Sequence, residues 1–238
     1  VLEQGVSSPF DSLIQAAGVH DLDEALMLVR SGVNGVGIPL RLPVHTPDVD
    51  EELAAAIFKG LAGKALRVLI TYEEDPGEIM ALCRKVHADC VQLHSRWQGD
   101  VKRAAQAMAR LRELSPELLM VKSLIVGHAA TGILHEAELL APQCHAFLTD
   151  SHDPATGADG ATGKTHDWSV SRELVQTSPV PVILAGGLSP DNVAQAIQTV
   201  RPSGVDAHTG LEDNSGRKSP GLVKAFADRA QAAFGSIG

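Results

Sequence analysis

Histidine and aspartate recur where the apolar runs of this chain stop. VQLH ends on His94, AFLTDSH carries Asp150 and His152, GKTHDW carries His166, and GVDAHTG carries His208. Imidazole titrates near neutrality and serves as a general acid or base. His208 and His152 are therefore candidate catalytic groups, and His94 and His166 candidate substrate contacts. Asp150 can act as an acid near neutrality only if its surroundings lift its pKa above the usual value of about 3.9; otherwise it is a cap or turn residue. His20, His87, His135 and His145 fall on helical stretches or at strand starts and read as structural or solvated. A second reading takes His94, Asp150, His152 and His208 as nitrogen and oxygen ligands of one divalent ion.

The most specific pattern lies near the C-terminus. VILAGGLSPDNVAQAI sets Gly186 and Gly187 after an apolar run and before a helical stretch, and VDAHTGLEDNSGRKSPGLV sets Thr209 and Gly210 after the last apolar run. Glycine lets the backbone approach a ligand closely. Consecutive N–H groups beside a helix start make an anion site suited to a phosphate. Gly186, Gly187, Thr209 and Gly210 are the candidate phosphate-binding residues.

These groups need a frame that brings distant loops to one face. Apolar, β-prone runs fall at residues 12–17, 34–40, 66–72, 89–94, 118–125, 144–150, 180–185 and 204–209, with amphipathic helical stretches between them. Runs that are nearly continuous rather than alternating are buried on both faces, as parallel strands are. Eight strand–helix units over 238 residues imply an α/β fold, a (β/α)8 TIM barrel, with a doubly wound open sheet as the alternative. Residues 1–11 read as an N-terminal extension and residues 12–238 as one barrel domain. In such a barrel the working loops follow the strands, so Arg41 and His45 after the second run and Tyr72 after the third join the candidates by position. The Gly- and Thr-rich stretch 147–168 reads as a mobile lid with Asp150 at its root.

The bulk numbers exclude some partners. Asp plus Glu number 29 against 20 Lys plus Arg, which argues against nucleic acid or an anionic membrane and leaves a small phosphorylated molecule as the expected partner. Cys83, Cys90 and Cys144 have neither CxxC nor zinc-type spacing, so reduced, buried thiols and a cytoplasmic setting are expected. VLEQGVSSPFDS has no basic or apolar signal region. No cofactor is implied, and a monomer or a homodimer is compatible with the sequence.

VQLH, LTDS, GATGKTHDW, VILAGGLSPDNVAQAI and VDAHTGLEDNSGRKSPGLVKAF, with IQAAGVHDLDEALMLVRSGVNGVGI at the start, resemble the successive strand–loop signatures of the phosphoribosylanthranilate isomerases of tryptophan biosynthesis. The resemblance covers almost the whole chain. It implies a (β/α)8 barrel, a phosphosugar ligand and an aldose–ketose (Amadori) rearrangement. It implies that Asp150, at the LxD strand end, is the general acid. It places the family's general base, the Cys of a KICG motif, at Ala17 of Gln15-Ala16-Ala17-Gly18, where a methyl group cannot accept a proton. General-base catalysis contributes about 10²–10⁴ in rate, so His208 or His152 is expected to stand in. The family's carboxylate-gripping Arg of an SPR motif has no counterpart in RLPVHTPDVD, where Arg41 or His45 would substitute. Two alternatives remain open at this point: a metal-assisted lyase or hydrolase acting on a phosphorylated small molecule, and a non-catalytic phosphometabolite-binding protein.

Overall fold

A computed structural model describes residues 8–43, 47–95, 97–126, 130–153, 158–159 and 167–237. The strands are β1 (Leu13–Ala17), β2 (Gly35–Leu40), β3 (Leu66–Thr71), β4 (Cys90–Leu93), β5 (Leu119–Val126), β6 (Ala146–Asp153), β7 (Ala158–Asp159), β8 (Val182–Leu184) and β9 (Gly204–Ala207). The helices are α1 (Leu22–Arg30), α2 (Glu51–Leu61), α3 (Pro76–Val86), α4 (Val101–Leu114), α5 (Ala130–Leu140), α6 (Trp168–Thr177), α7 (Val193–Val200) and α8 (Pro220–Ile237).

Eight strands pair in parallel in the order β1-β2-β3-β4-β5-β6-β8-β9, and β9 pairs back onto β1, closing the barrel. The fold expected from the sequence is the fold observed, and the open-sheet alternative is excluded by that closure. One local feature was not expected. β6 runs three residues past Asp150 and pairs antiparallel with β7, Asp153 opposite Ala158. The stretch expected to loop out at Asp150 thus begins as a strand extension.

Two apolar layers hold the frame. The inner one fills the barrel with Leu13, Ala17, Val68, Ile70, Cys90, Val121, Leu148 and Ile183. Phe10, from the segment expected to precede the barrel, is 1% exposed and packs into this layer. The outer layer lies between strands and helices and is almost wholly aliphatic. Much of the acidic excess is spent on helix starts. Asp21, Asp50, Asp75 and Asp100 each accept a hydrogen bond from a backbone N–H in the first turn of α1, α2, α3 and α4. Each such cap contributes about 1 kcal/mol and fixes where a strand-to-helix loop ends. Cys83, Cys90 and Cys144 are free and buried. Burial pushes the Cys83 and Cys144 thiols up to about 12 and raises Cys90 as well, so none supplies a thiolate. Among the described residues no helix is long and apolar enough to cross a membrane.

Candidate active site

Inside the barrel, polar side chains interrupt the aliphatic filling. The Gln15 side-chain amide donates to Gln92 Oε1 (3.1 Å), and the Gln92 amide donates to Ser123 Oγ (3.3 Å). Asp206 of β9 lies in register with Gln15 of β1 and is 7% exposed. Burial pushes its carboxyl up to about 7, against the opposing pull of a Gln15 hydrogen bond and the Lys218 charge. Its Oδ1 has no hydrogen-bond partner among the described residues.

Asp150 sits at the same end, 6% exposed. Its Oδ1 accepts from the Ser151 N–H (2.8 Å), and its Oδ2 lies 3.9 Å from His94 Nε2. The His94 ring is tilted against Tyr72, with centroids 4.8 Å apart. A cavity of about 20 Å³ is lined by Asp150, Gly186, Gly187, Asp206, Ala207, His208 and Thr209. That is about the room one water needs. A larger cleft of about 440 Å³, lined by Arg84, His87, Asp89 and Glu117, lies where strands begin. There Asp89 is already held by Arg67, and the strand-end groups are at the opposite mouth.

The glycine loops meet as the sequence suggested. Gly186 and Gly187 have φ of 89° and 64°, a region that side chains disfavour. Asn192 braces their loop, donating to Gly187 O and accepting from Ser189 N–H, each at 2.9 Å. Gly210 packs directly on that loop: a Cβ there would lie 2.1 Å from Leu188 O. The main-chain N–H groups of Gly186, Gly187, Thr209 and Gly210 donate to no main-chain carbonyl among the described residues.

His208 leans over the start of the α1 loop, its Nε2 where a Cβ on Gly18 would fall. Nε2 is 3.2 Å from Glu212 Oε1. The Lys218 ammonium binds both Glu212 (2.7 Å) and the His208 carbonyl (3.1 Å). Burial first, and Lys218 second, push the imidazole down to about 4, with Glu212 and Asp48 pulling the other way. His208 is therefore neutral at pH 7.

The candidates divide accordingly. Asp150, His208, Gly186, Gly187 and Thr209 share one cavity, with His94 behind Asp150 and Gly210 behind the glycine loops. Arg41 is not brought there. Its guanidinium lies 3.1 Å from Glu51, 3.0 Å from Glu78 and 3.6 Å from Glu73, so three carboxylates already balance its charge. His45 and His166 lie outside the described residues, as does the His152 side chain, although His152 belongs to β6. Among the described residues no group of three or more His, Cys, Asp or Glu is placed to share a metal ion. Sequence reasoning missed Asp206. The available signal was polar residues in strands otherwise buried and apolar: Gln15 in β1, Gln92 in β4 and Asp206 in β9.

Fold and site together define a closed (β/α)8 barrel that gathers carboxyls and glycine loops at its C-terminal mouth. Residues 43–229 match the family model described as N-(5'phosphoribosyl)anthranilate (PRA) isomerase. The chain is 34% identical to N-(5'-phosphoribosyl)anthranilate isomerase 2 of Methanosarcina mazei, over 93% of this chain and 95% of that protein. It is 36% identical to the N-(5'-phosphoribosyl)anthranilate isomerase of Haloferax volcanii, over 94% and 95%. Among solved structures it resembles phosphoribosyl anthranilate isomerase from Thermotoga maritima, with a TM-score of 0.76 and 27% identity over 93% of this chain and 99% of that one. A further phosphoribosyl anthranilate isomerase structure, in complex with reduced 1-(O-carboxyphenylamino)-1-deoxyribulose 5-phosphate, gives 0.73 and 25% over the same shares. The chain belongs to the N-(5'-phosphoribosyl)anthranilate isomerase family.

Proposed function

We propose that this protein isomerises N-(5'-phosphoribosyl)anthranilate to 1-(o-carboxyphenylamino)-1-deoxyribulose 5-phosphate. The observation that carries the reading is a single cavity bounded on one side by Asp150 and on the other by Gly186, Gly187 and Thr209. The glycine loops take the phosphate through main-chain N–H groups. Asp150 is the acid that protonates the furanose ring oxygen as the ring opens. His94, 3.9 Å from its Oδ2, orients that carboxyl from behind. His208, fixed by Glu212, flanks the opened sugar on the α1 side. The metal-assisted alternative finds no ligand cluster among the described residues, and the curated relatives compared above carry isomerase names. The reading is tested by complementing a tryptophan auxotroph that lacks the isomerase. Growth is expected from the wild-type gene and not from one encoding Asp150→Asn. Failure of the wild-type gene to restore growth, with soluble protein present, would overturn it.

A further inference from the structure

The proposed rearrangement must take a proton from C2 of the opened sugar, and Ala17, at the end of β1, offers only a methyl group. We propose that Asp206 is the residue that accepts this proton. The inference rests on the isomerase reading above and adds a second carboxyl to it.

The placement comes from the sheet. Asp206 is in register with Gln15, two residues before Ala17 on β1, and alternate strand residues share a face. Ala17 packs in the inner layer, so Gln15 and Asp206 are on the inward side with it. Asp206 lines the same cavity as Asp150. Its Oδ1 is buried with no hydrogen-bond partner among the described residues. A buried carboxyl with an unused oxygen destabilises the fold, and packing alone gives no reason to keep one here. The groups facing it are Gln15 from β1, Asp150 from β6, His208 on its own strand end, and Lys218 from the loop before α8. Burial outweighs Gln15 and Lys218 and pushes the carboxyl up to about 7, where a group can both take and return a proton. His208 is less well placed, because its Nε2 is engaged by Glu212 and its ring lies against Gly18.

The steps balance. Asp150 gives its proton to the ring oxygen as the C1–O bond breaks, and the nitrogen lone pair forms C1=N. The Asp206 carboxylate takes the C2 proton. The C–H electron pair becomes C1=C2, and the C=N pair returns to nitrogen. The resulting enol loses its O–H proton as C2=O forms, and C1 gains a proton. Asp206 releases its proton and Asp150 regains one, so no oxidant or co-reactant is required.

The test compares wild type, Asp206→Asn and Asp206→Ala on phosphoribosylanthranilate, with thermal melting of each to check folding. Asp206→Asn is expected to lower kcat by about 10²-fold or more with KM nearly unchanged. Added formate is expected to restore turnover to Asp206→Ala in a saturable way, which a merely structural role would not allow. A kcat for Asp206→Asn close to that of wild type, or no effect of formate on Asp206→Ala, would overturn the assignment while leaving the isomerase reading intact. An inactive wild-type protein would overturn the isomerase reading itself, and this inference with it.

Discussion

Replacing Gly210 with alanine asks whether the two glycine loops form a ligand site or are merely neighbours. The added Cβ would sit 2.1 Å from Leu188 O and 3.1 Å from the Ser189 Cβ. An ordinary C···O approach is about 3.3–3.6 Å, so one loop must retreat by more than 1 Å. The obstacle is backbone, which cannot rotate away as a side-chain tip can. Overpacking of this kind costs typically about 1–3 kcal/mol. A misplacement of about 1 Å in a positioning group can cost on the order of 10²-fold in rate. If the displaced groups hold the phosphate end as proposed, the loss falls chiefly in KM. Steady-state kinetics of Gly210→Ala on phosphoribosylanthranilate should show a KM about 10-fold or more above wild type, with a smaller change in kcat. Inorganic phosphate should lose its ability to compete. A variant that folds, melts within a few degrees of wild type and keeps the wild-type KM would refute the placement of the phosphate between these loops.

Asp150→Asn keeps the shape of the proposed acid and removes its proton, so kcat should fall by about 10²–10⁴ while phosphate still binds, as read by kinetics and by phosphate titration. Asp206→Asn should stabilise the fold at alkaline pH. The buried carboxyl is raised to about 7, so its stabilising contribution is complete below the unfolded pKa and is lost as pH rises toward 7. The ionised group then costs up to roughly 4 kcal/mol. Denaturant melts should show the variant more stable than wild type at pH 8 and the gap closing near pH 4. His208 works in the opposite sense. Its imidazole is pushed down to about 4, so the unfolded chain binds a proton first and stability falls as pH drops from about 6.5 toward 4. His208→Asn should flatten that acid limb in the same melts. Arg41→Ala should leave the KM for phosphoribosylanthranilate unchanged, because three carboxylates already neutralise the guanidinium.

The frame was legible because burial on both faces leaves a plain mark. Runs such as LRVLIT and NGVGIPL carry no alternation, and the helices between them are amphipathic. The glycine pair was legible for a similar reason: Gly186 and Gly187 adopt φ values that other residues disfavour. What the sequence concealed is contact between strands. Gln15, Gln92 and Asp206 are 77 and 114 residues apart, as their numbering shows, and only barrel closure sets them in one layer. A strand-end position did not reveal the acidic neighbours of Arg41, which are Glu51 on α2, Glu78 on α3 and Glu73 after β3. The extension of β6 past Asp150 escaped notice because TDSHD lacks the apolar residues by which the other strands were recognised.

The claim on which the rest depends is that the mouth bounded by Asp150 and the glycine loops rearranges a phosphorylated aminoaldose. The direct measurement supplies phosphoribosylanthranilate to the purified wild-type chain and follows formation of 1-(o-carboxyphenylamino)-1-deoxyribulose 5-phosphate. The account predicts saturable turnover that inorganic phosphate inhibits competitively. A folded chain that binds phosphate yet forms no product at any substrate concentration would contradict it.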